Sequence, residues 1–279
     1  MIALAPDAPP AGVVRGCARM TFARRGSRTV LVRSEVAAPM TVIRPFGLPD
    51  GRLVVQLITL GPGLCAGDVM HIEATTGDGA RAIVTTTAAT RVMTMEPGER
   101  AEQHVVLHAG TDSSLEYYPA VTLPFPGSAL AQTVRVTAAP TARVAVIESW
   151  AMGRAARDEY LRFRSLSSRT TLYVDGVPTY TDAMDLEPGV TDVANAGVLA
   201  GRRYVAAGFW HGVTLPPETG VQPSAGGIMV AFAQSLPGLA YLRALGDDGP
   251  EVDSVLRRAV ERVSEAWRLP AIHMDRFRC

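Results

Sequence analysis

Short runs of alternating apolar and polar residues recur at close intervals through most of the chain, and the gaps between them are too short for helices. The runs are 29–33, 41–46, 53–60, 69–75, 81–87, 103–108, 114–118, 132–137, 143–150, 159–166 and 170–174. Turn-forming residues separate them: Pro49-Asp50-Gly51, Gly77-Asp78-Gly79, Pro124-Phe125-Pro126-Gly127 and Asp175-Gly176. Alternation with a period of two puts one side of each run into a core and the other into solvent. Strands at this spacing predict a mainly β protein, a large layered structure of antiparallel or mixed sheets with few helices. A parallel α/β fold would need a helix between successive strands. One helix is predicted, from Glu251 to Trp267. Pro250 suits a first helical position, an apolar stripe runs through Val252, Val255, Leu256, Ala259, Val260, Val263 and Trp267, and Pro270 stops the segment. Residues 181–200 and 213–227 read as long loops. The whole chain, 1–279, reads as a single domain with an irregular N-terminal segment over 1–19.

The segment from Leu53 to Thr75 tests this reading. A strand from Leu53 to Leu60 enters Gly61-Pro62-Gly63 and then Gly67. A strand followed by a glycine-rich turn opens a dinucleotide-binding fold, but that fold needs a helix next. Here Met70, Ile72 and Ala74 alternate with His71, Glu73 and Thr75, which is strand periodicity. The glycine spacing is also one residue too long. The segment is therefore read as strand, glycine loop ending in Asp68, strand. An NAD(P)- or flavin-dependent oxidoreductase using the Gly61–Gly67 loop stays as an alternative, as does a β-sandwich module with an unrelated ligand.

Charge narrows the classes further. Basic and acidic residues number 27 each, and every basic residue is an arginine. A chain with no net charge lacks the basic excess of a nucleic-acid binder. Its mean hydropathy is +0.14 and it has no run long enough to cross a bilayer. A neutral, rather apolar chain tends to associate, which favours life in a complex. The first residues lack the charged region and continuous apolar core of a signal peptide, so the expected location is cytoplasmic. Cys17, Cys65 and Cys279 are too few and too scattered for a disulfide framework.

Candidate chemistry is sparse. His104 and His108 have the spacing of a helical zinc pair, but they lie in a strand and are read as exposed histidines. His71, His211 and His273 are isolated and read as structural. Cys65, inside the glycine loop, reads as a nucleophile or soft ligand no more readily than as an inert thiol. No serine has a nucleophile-elbow context. Three acidic positions stand out. Asp68 closes the glycine loop, Glu148 interrupts the apolar run 143–150, and Glu159 follows Gly153-Arg154. An acid inside an apolar strand needs an arginine or a hydrogen bond, and Arg154 is the expected partner. Spacing alone leaves a structural ion-pair network and a polar passage for a cation both open.

Five segments, in order, resemble one known family. They are TVLVRSEVAAPMTVIRPF, LGPGLCAGD, TTTAATRV, LEYYPAVTLPFPGSALAQ and GRAARDEYLRFRSLSSRTTLYVDGVP. Together they span most of residues 20–185 and resemble the urease accessory proteins of the UreD (UreH) type. The chain departs from that pattern at Ala66 and Asp158, where glycines are usual, at Arg91 in place of lysine, and at Met93 in place of an aromatic residue. The resemblance implies a maturation scaffold and no enzyme activity. It implies partners: urease apoprotein, a UreF-type protein and a UreG-type GTPase. It implies no tightly bound cofactor, but nickel in transit through a polar passage. On that basis Asp68, Glu148 and Asp182 are the expected passage residues, with Thr90, Arg154 and Glu159 in support. Scattered carboxylates and hydroxyls suit such transit because they exchange a cation faster than a closed cage does.

Overall fold

A computed structural model describes residues 13–215, 222–223 and 227–272. In chain order the elements are β1 (Arg15–Arg25), β2 (Arg28–Ala37), β3 (Met40–Val42), β4 (Phe46–Gly47), β5 (Leu53–Thr59), β6 (Val69–Thr76), β7 (Arg81–Thr86), β8 (Thr90–Val92), β9 (Ala101–Ala109) and β10 (Ser114–Tyr118). They continue with β11 (Thr122–Pro124), β12 (Ala129–Ala138), β13 (Arg143–Ala151), β14 (Ser165–Val174), β15 (Val177–Leu186), β16 (Tyr204–His211), β17 (Gln222–Pro223), β18 (Met229–Leu236), β19 (Leu239–Gly246) and one α-helix, α1 (Gly249–Ala266). The protein is mainly β and layered.

The strands form two sheets. One has seven strands in the order β15-β14-β12-β9-β6-β1-β2, and the other has twelve, with β17-β18-β19-β16-β13-β10-β7-β5-β3 as its spine. From β5 to β14 the long strands alternate between the sheets, coiling the chain like a solenoid. Each turn of the coil adds one strand to each sheet, so neighbours within a sheet run parallel: β6 with β9, β9 with β12, and β12 with β14; β5 with β7, β7 with β10, and β10 with β13. No helix is needed to bring the chain back, because the opposite sheet does so. Antiparallel pairs sit at the margins, as in β1–β2, β14–β15 and β16–β19.

Alternation then builds two cores. On β13, Val144, Val146 and Trp150 point between the sheets, while Ala145 and Ile147 point the other way, beneath α1. The helix covers that second core with Val252, Val255, Leu256, Ala259, Val260 and Val263, which is the predicted stripe.

Several expectations about elements are corrected. Of the run expected over 159–166, residues 159–164 are no strand: a 3₁₀ turn at Ala155–Arg157 leads into Asp158 and Leu161, both with positive φ, and the strand starts at Ser165. Residues 181–186 belong to β15 and are no loop. Strand β1 begins inside the segment read as irregular. The second loop expectation falls partly on 216–221 and 224–226, and His273 and Cys279 also lie outside the described residues.

Candidate functional site

Glu148 points from β13 into the core between the sheets and is only 5 % exposed. Its partners come from the facing sheet. Gln132 on β12 donates its side-chain N–H to one carboxylate oxygen, and the Thr170 hydroxyl on β14 donates to the other at 2.7 Å. Both donors are neutral. Arg154, the expected partner, is elsewhere: it forms a two-pronged pair with Glu159 in the loop after β13 and stacks on Phe125, 4.0 Å from the ring centre. Burial, chiefly, pushes the Glu148 carboxyl up to about 7; the Asp182 charge adds to this and the Thr170 hydrogen bond opposes it. Burial thus favours the protonated form of Glu148 far more than water would. A carboxylate so placed can take a proton or a cation.

Asp182 is next to it. Thr170 and Asp182 are in register across β14 and β15. Glu148, Ala207 and Arg243 form one cross-strand row on β13, β16 and β19. Arg243 donates to the Asp182 carboxylate. A small cavity of about 10 Å³ lies between Glu148, Thr170, Tyr180 and Asp182, near the room one water needs. Asp182 and Arg243 are partly exposed, so this end of the site reaches the surface.

Polar residues continue inward from Glu148. Gln103, Gln132 and Ser168 occupy one row on the inner face of β9, β12 and β14, between Met70 and Met184. Tyr117 faces them from β10. Burial first, then the Glu148 charge, raises its phenol far above the ordinary range, while Gln103 opposes the shift, so Tyr117 stays neutral. This row escaped the sequence reading, because Gln at an inward position keeps the strand alternation while filling the wrong half of it. Gln132, four residues after Ser128 in an otherwise apolar inward set, is the signal that was there to be read.

Asp68 is not part of this group. It is 3 % exposed, and its two carboxylate oxygens accept the backbone N–H groups of Val14 at 2.9 Å and Cys65 at 2.8 Å. That closes the glycine loop, with Gly67 at φ 76 where a side chain would be strained. Four strand spacings separate β6 from β15, or about 19 Å. The structure thus joins Glu148 to Asp182 and sets Asp68 apart. Burial pushes the Cys65 thiol up, helped by Asp68, which makes it a poor nucleophile. Thr90 opens β8 and lines a separate cleft of about 350 Å³ with Gly61, Gly63, Thr86, Thr87 and Arg91. The glycine loop runs into β6, so no helix N-terminus faces it for a dinucleotide. Among the described residues no three His, Cys, Asp or Glu side chains converge as a metal cage. No helix among them is long and apolar enough to cross a membrane.

Residues 14–277 match the profile of the UreD urease accessory protein family. The chain belongs to this family. A urease accessory protein UreD from Deinococcus radiodurans is 32% identical over 249 residues, 89% of each chain. A urease accessory protein UreD 1 from Synechococcus sp. (strain JA-3-3Ab) is 34% identical over 262 residues, 92% of this chain and 94% of that one. Three of the departures from the UreD pattern have physical readings, and nothing in the structure explains Met93. Ala66 does not need positive φ, because Gly67 carries the turn. Asp158 does adopt the left-handed region, at φ 53. Glycine is at ease there, and Asp is among the few other residues that tolerate it. Arg91 donates to the Gly61 carbonyl at 3.2 Å, tying the two loops of the cleft together.

Proposed function

We propose that this chain acts in urease maturation as a cytoplasmic scaffold rather than a catalyst. It binds urease apoprotein together with a UreF-type protein and a UreG-type GTPase, and supports GTP-dependent nickel insertion. The match to urease accessory proteins along residues 14–277 carries the accessory role. Within it, nickel moves as cargo through the interior of the β-coil, with Glu148 and Asp182 as exchange points. The observation that supports this is a buried carboxylate held only by neutral donors, Gln132 and Thr170. A buried carboxylate with no cationic partner is costly unless a proton or metal ion completes it. Asp68, which lies away from Glu148 and Asp182, ties the glycine loop by accepting the Val14 and Cys65 backbone N–H groups, and Arg154 with Glu159 holds the loop before β14.

Co-expression with the urease subunits and the two partners tests the scaffold. Pull-down on this chain should recover the partners and apo-urease, and deleting it should leave urease without nickel. Active, nickel-loaded urease in its absence would refute the reading.

A further inference from the structure

Three turns meet at one end of the β-coil and enclose a polar cavity of about 120 Å³. The first is the β1–β2 hairpin, where Arg25 pairs with Arg28 across Gly26-Ser27. The second is Asp50-Gly51, before β5, and the third is Asp78-Gly79, before β7. Backbone contacts tie them together. Thr29 donates its N–H to the Gly51 carbonyl at 3.0 Å, and the Thr29 hydroxyl accepts the Arg81 N–H at 2.8 Å. Gly51 and Gly79 have positive φ, 86 and 65. A side chain at Gly51 would strike the Ser27 carbonyl, and one at Gly79 would press on Arg24, so glycine lets the turns close on one another. This end is remote from the interior site. Arg81 is in register with Arg143 across β10, and Glu148 lies a further five residues along β13, or about 16 Å.

Arg24, Arg28 and Arg81 line this cavity, with Thr29 and Asp50. A solvated basic hairpin would explain Arg24 and Arg28 taken alone. The surroundings point further. Asp50 is occupied by the buried Arg52, whose Nε lies 2.7 Å from its carboxylate, and Asp78 accepts the Thr111 N–H. The ion pairs among the described residues all use other arginines. Arg24 gives its Nε to the Gly26 carbonyl at 2.9 Å, which leaves the rest of its fork for another acceptor. Three guanidiniums thus gather round one cavity with no acid of their own, in a chain of zero net charge. Like charges so placed repel one another, and an anion between them turns that repulsion into attraction. The planar forks match phosphate oxygens two at a time. Size limits the ligand. Clefts for whole small molecules start at about 300 Å³, so this one takes a single tetrahedral anion or the terminal phosphate of a molecule that stays outside.

We propose that Arg24, Arg28 and Arg81 form a binding site for a phosphate group, free or as a monoester. The Thr29 hydroxyl, which already accepts the Arg81 N–H, keeps its proton to donate. The bound anion bridges the β1–β2 hairpin to the start of β7 and stabilises this end of the coil. The site does not depend on the maturation role, nor on the interior exchange points.

The test is isothermal titration of the full, tag-free chain with inorganic phosphate and, separately, with glycerol 2-phosphate, at matched ionic strength. One equivalent should bind saturably, and the melting temperature should rise with that anion and not with chloride. Arg28→Gln and Arg81→Gln should each weaken binding at least tenfold, and the double variant should abolish it. Arg169→Gln, on the exposed face of β14, should leave it unchanged. Circular dichroism checks that each variant is folded. Binding of inorganic phosphate alone assigns the site to the free anion. Binding of the monoester assigns it to the terminal phosphate of a larger molecule. Saturable binding of neither would overturn the proposal, as would unchanged affinity in the folded Arg28→Gln/Arg81→Gln variant. An equal loss in Arg169→Gln would also overturn it, because the effect would then be one of overall charge.

Discussion

Replacing Glu148 with glutamine should change how the stability of this protein depends on pH. The unperturbed carboxyl titrates at 4.5 and the folded one at about 7. Between those values the folded chain keeps a proton that the unfolded chain has released. The contribution is therefore fully favourable below the ordinary range and is lost as pH rises through 7. At about 1.36 kcal/mol per pH unit, the gap gives a loss of about 3 kcal/mol by pH 8. The glutamine amide is neutral throughout and can still meet both neighbours, its oxygen accepting from Gln132 and its NH₂ donating to the Thr170 hydroxyl. Urea unfolding of both proteins at pH 5 and pH 8 measures the effect. The stability difference, variant minus wild type, should grow by about 2.5 kcal/mol from the lower to the higher pH, since the unfolded carboxyl is already mostly ionised at pH 5. Other titrating groups cancel in that double difference. Parallel pH profiles for the two proteins would show that Glu148 is ionised in the folded chain at both pH values, and would refute the reasoning.

Three further outcomes follow from other sites. Arg52 and Glu116 are each 1 % exposed and paired at 3.2 Å beneath α1, with Asp50 and the Pro270 carbonyl completing the arginine's contacts. Arg52→Met strands Glu116 and should cost about 3–5 kcal/mol in denaturant unfolding, much of it recovered by adding Glu116→Gln. Asp68→Ala leaves two backbone N–H groups without their acceptor and should cost about 1–3 kcal/mol each in thermal and urea unfolding. An unchanged melting temperature would contradict the capping role. Asp158→Gly relieves a left-handed residue and should stabilise by up to about 1 kcal/mol; a loss of stability would mean the Asp158 side chain does something the backbone does not show.

Much of this architecture was legible in the residues. Strands such as Gln103–His108 alternate cleanly because one face meets the core and the other meets water, and the stripe from Val252 to Val263 fixed the helix. Strand β16 was missed for the opposite reason. β16, YVAAGFWH, is buried on both faces along nearly its whole length, so it shows no period. β15 carries Thr181 and Asp182 at a sheet margin, and these read as the start of a loop. The coil itself was hidden, because short crossovers between sheets make parallel pairs without the helix that usually betrays them. At the site, Glu148 was conspicuous as an acid in an apolar run. Its real partners, Gln132 and Thr170, come from strands that only the register brings opposite. Asp182 joins it for the same reason, and Asp68, equally conspicuous in the sequence, turns inward to its own loop.

In the proposed function nickel reaches urease by way of the buried pair Glu148 and Asp182. The direct measurement is the nickel content of urease purified after co-expression with the wild-type chain or with its Glu148→Gln and Asp182→Asn variants, alongside pull-down of the whole complex. Normal recovery of the complex is expected with each variant, together with urease of reduced nickel content and activity. Fully loaded urease from complexes carrying both substitutions would contradict this route.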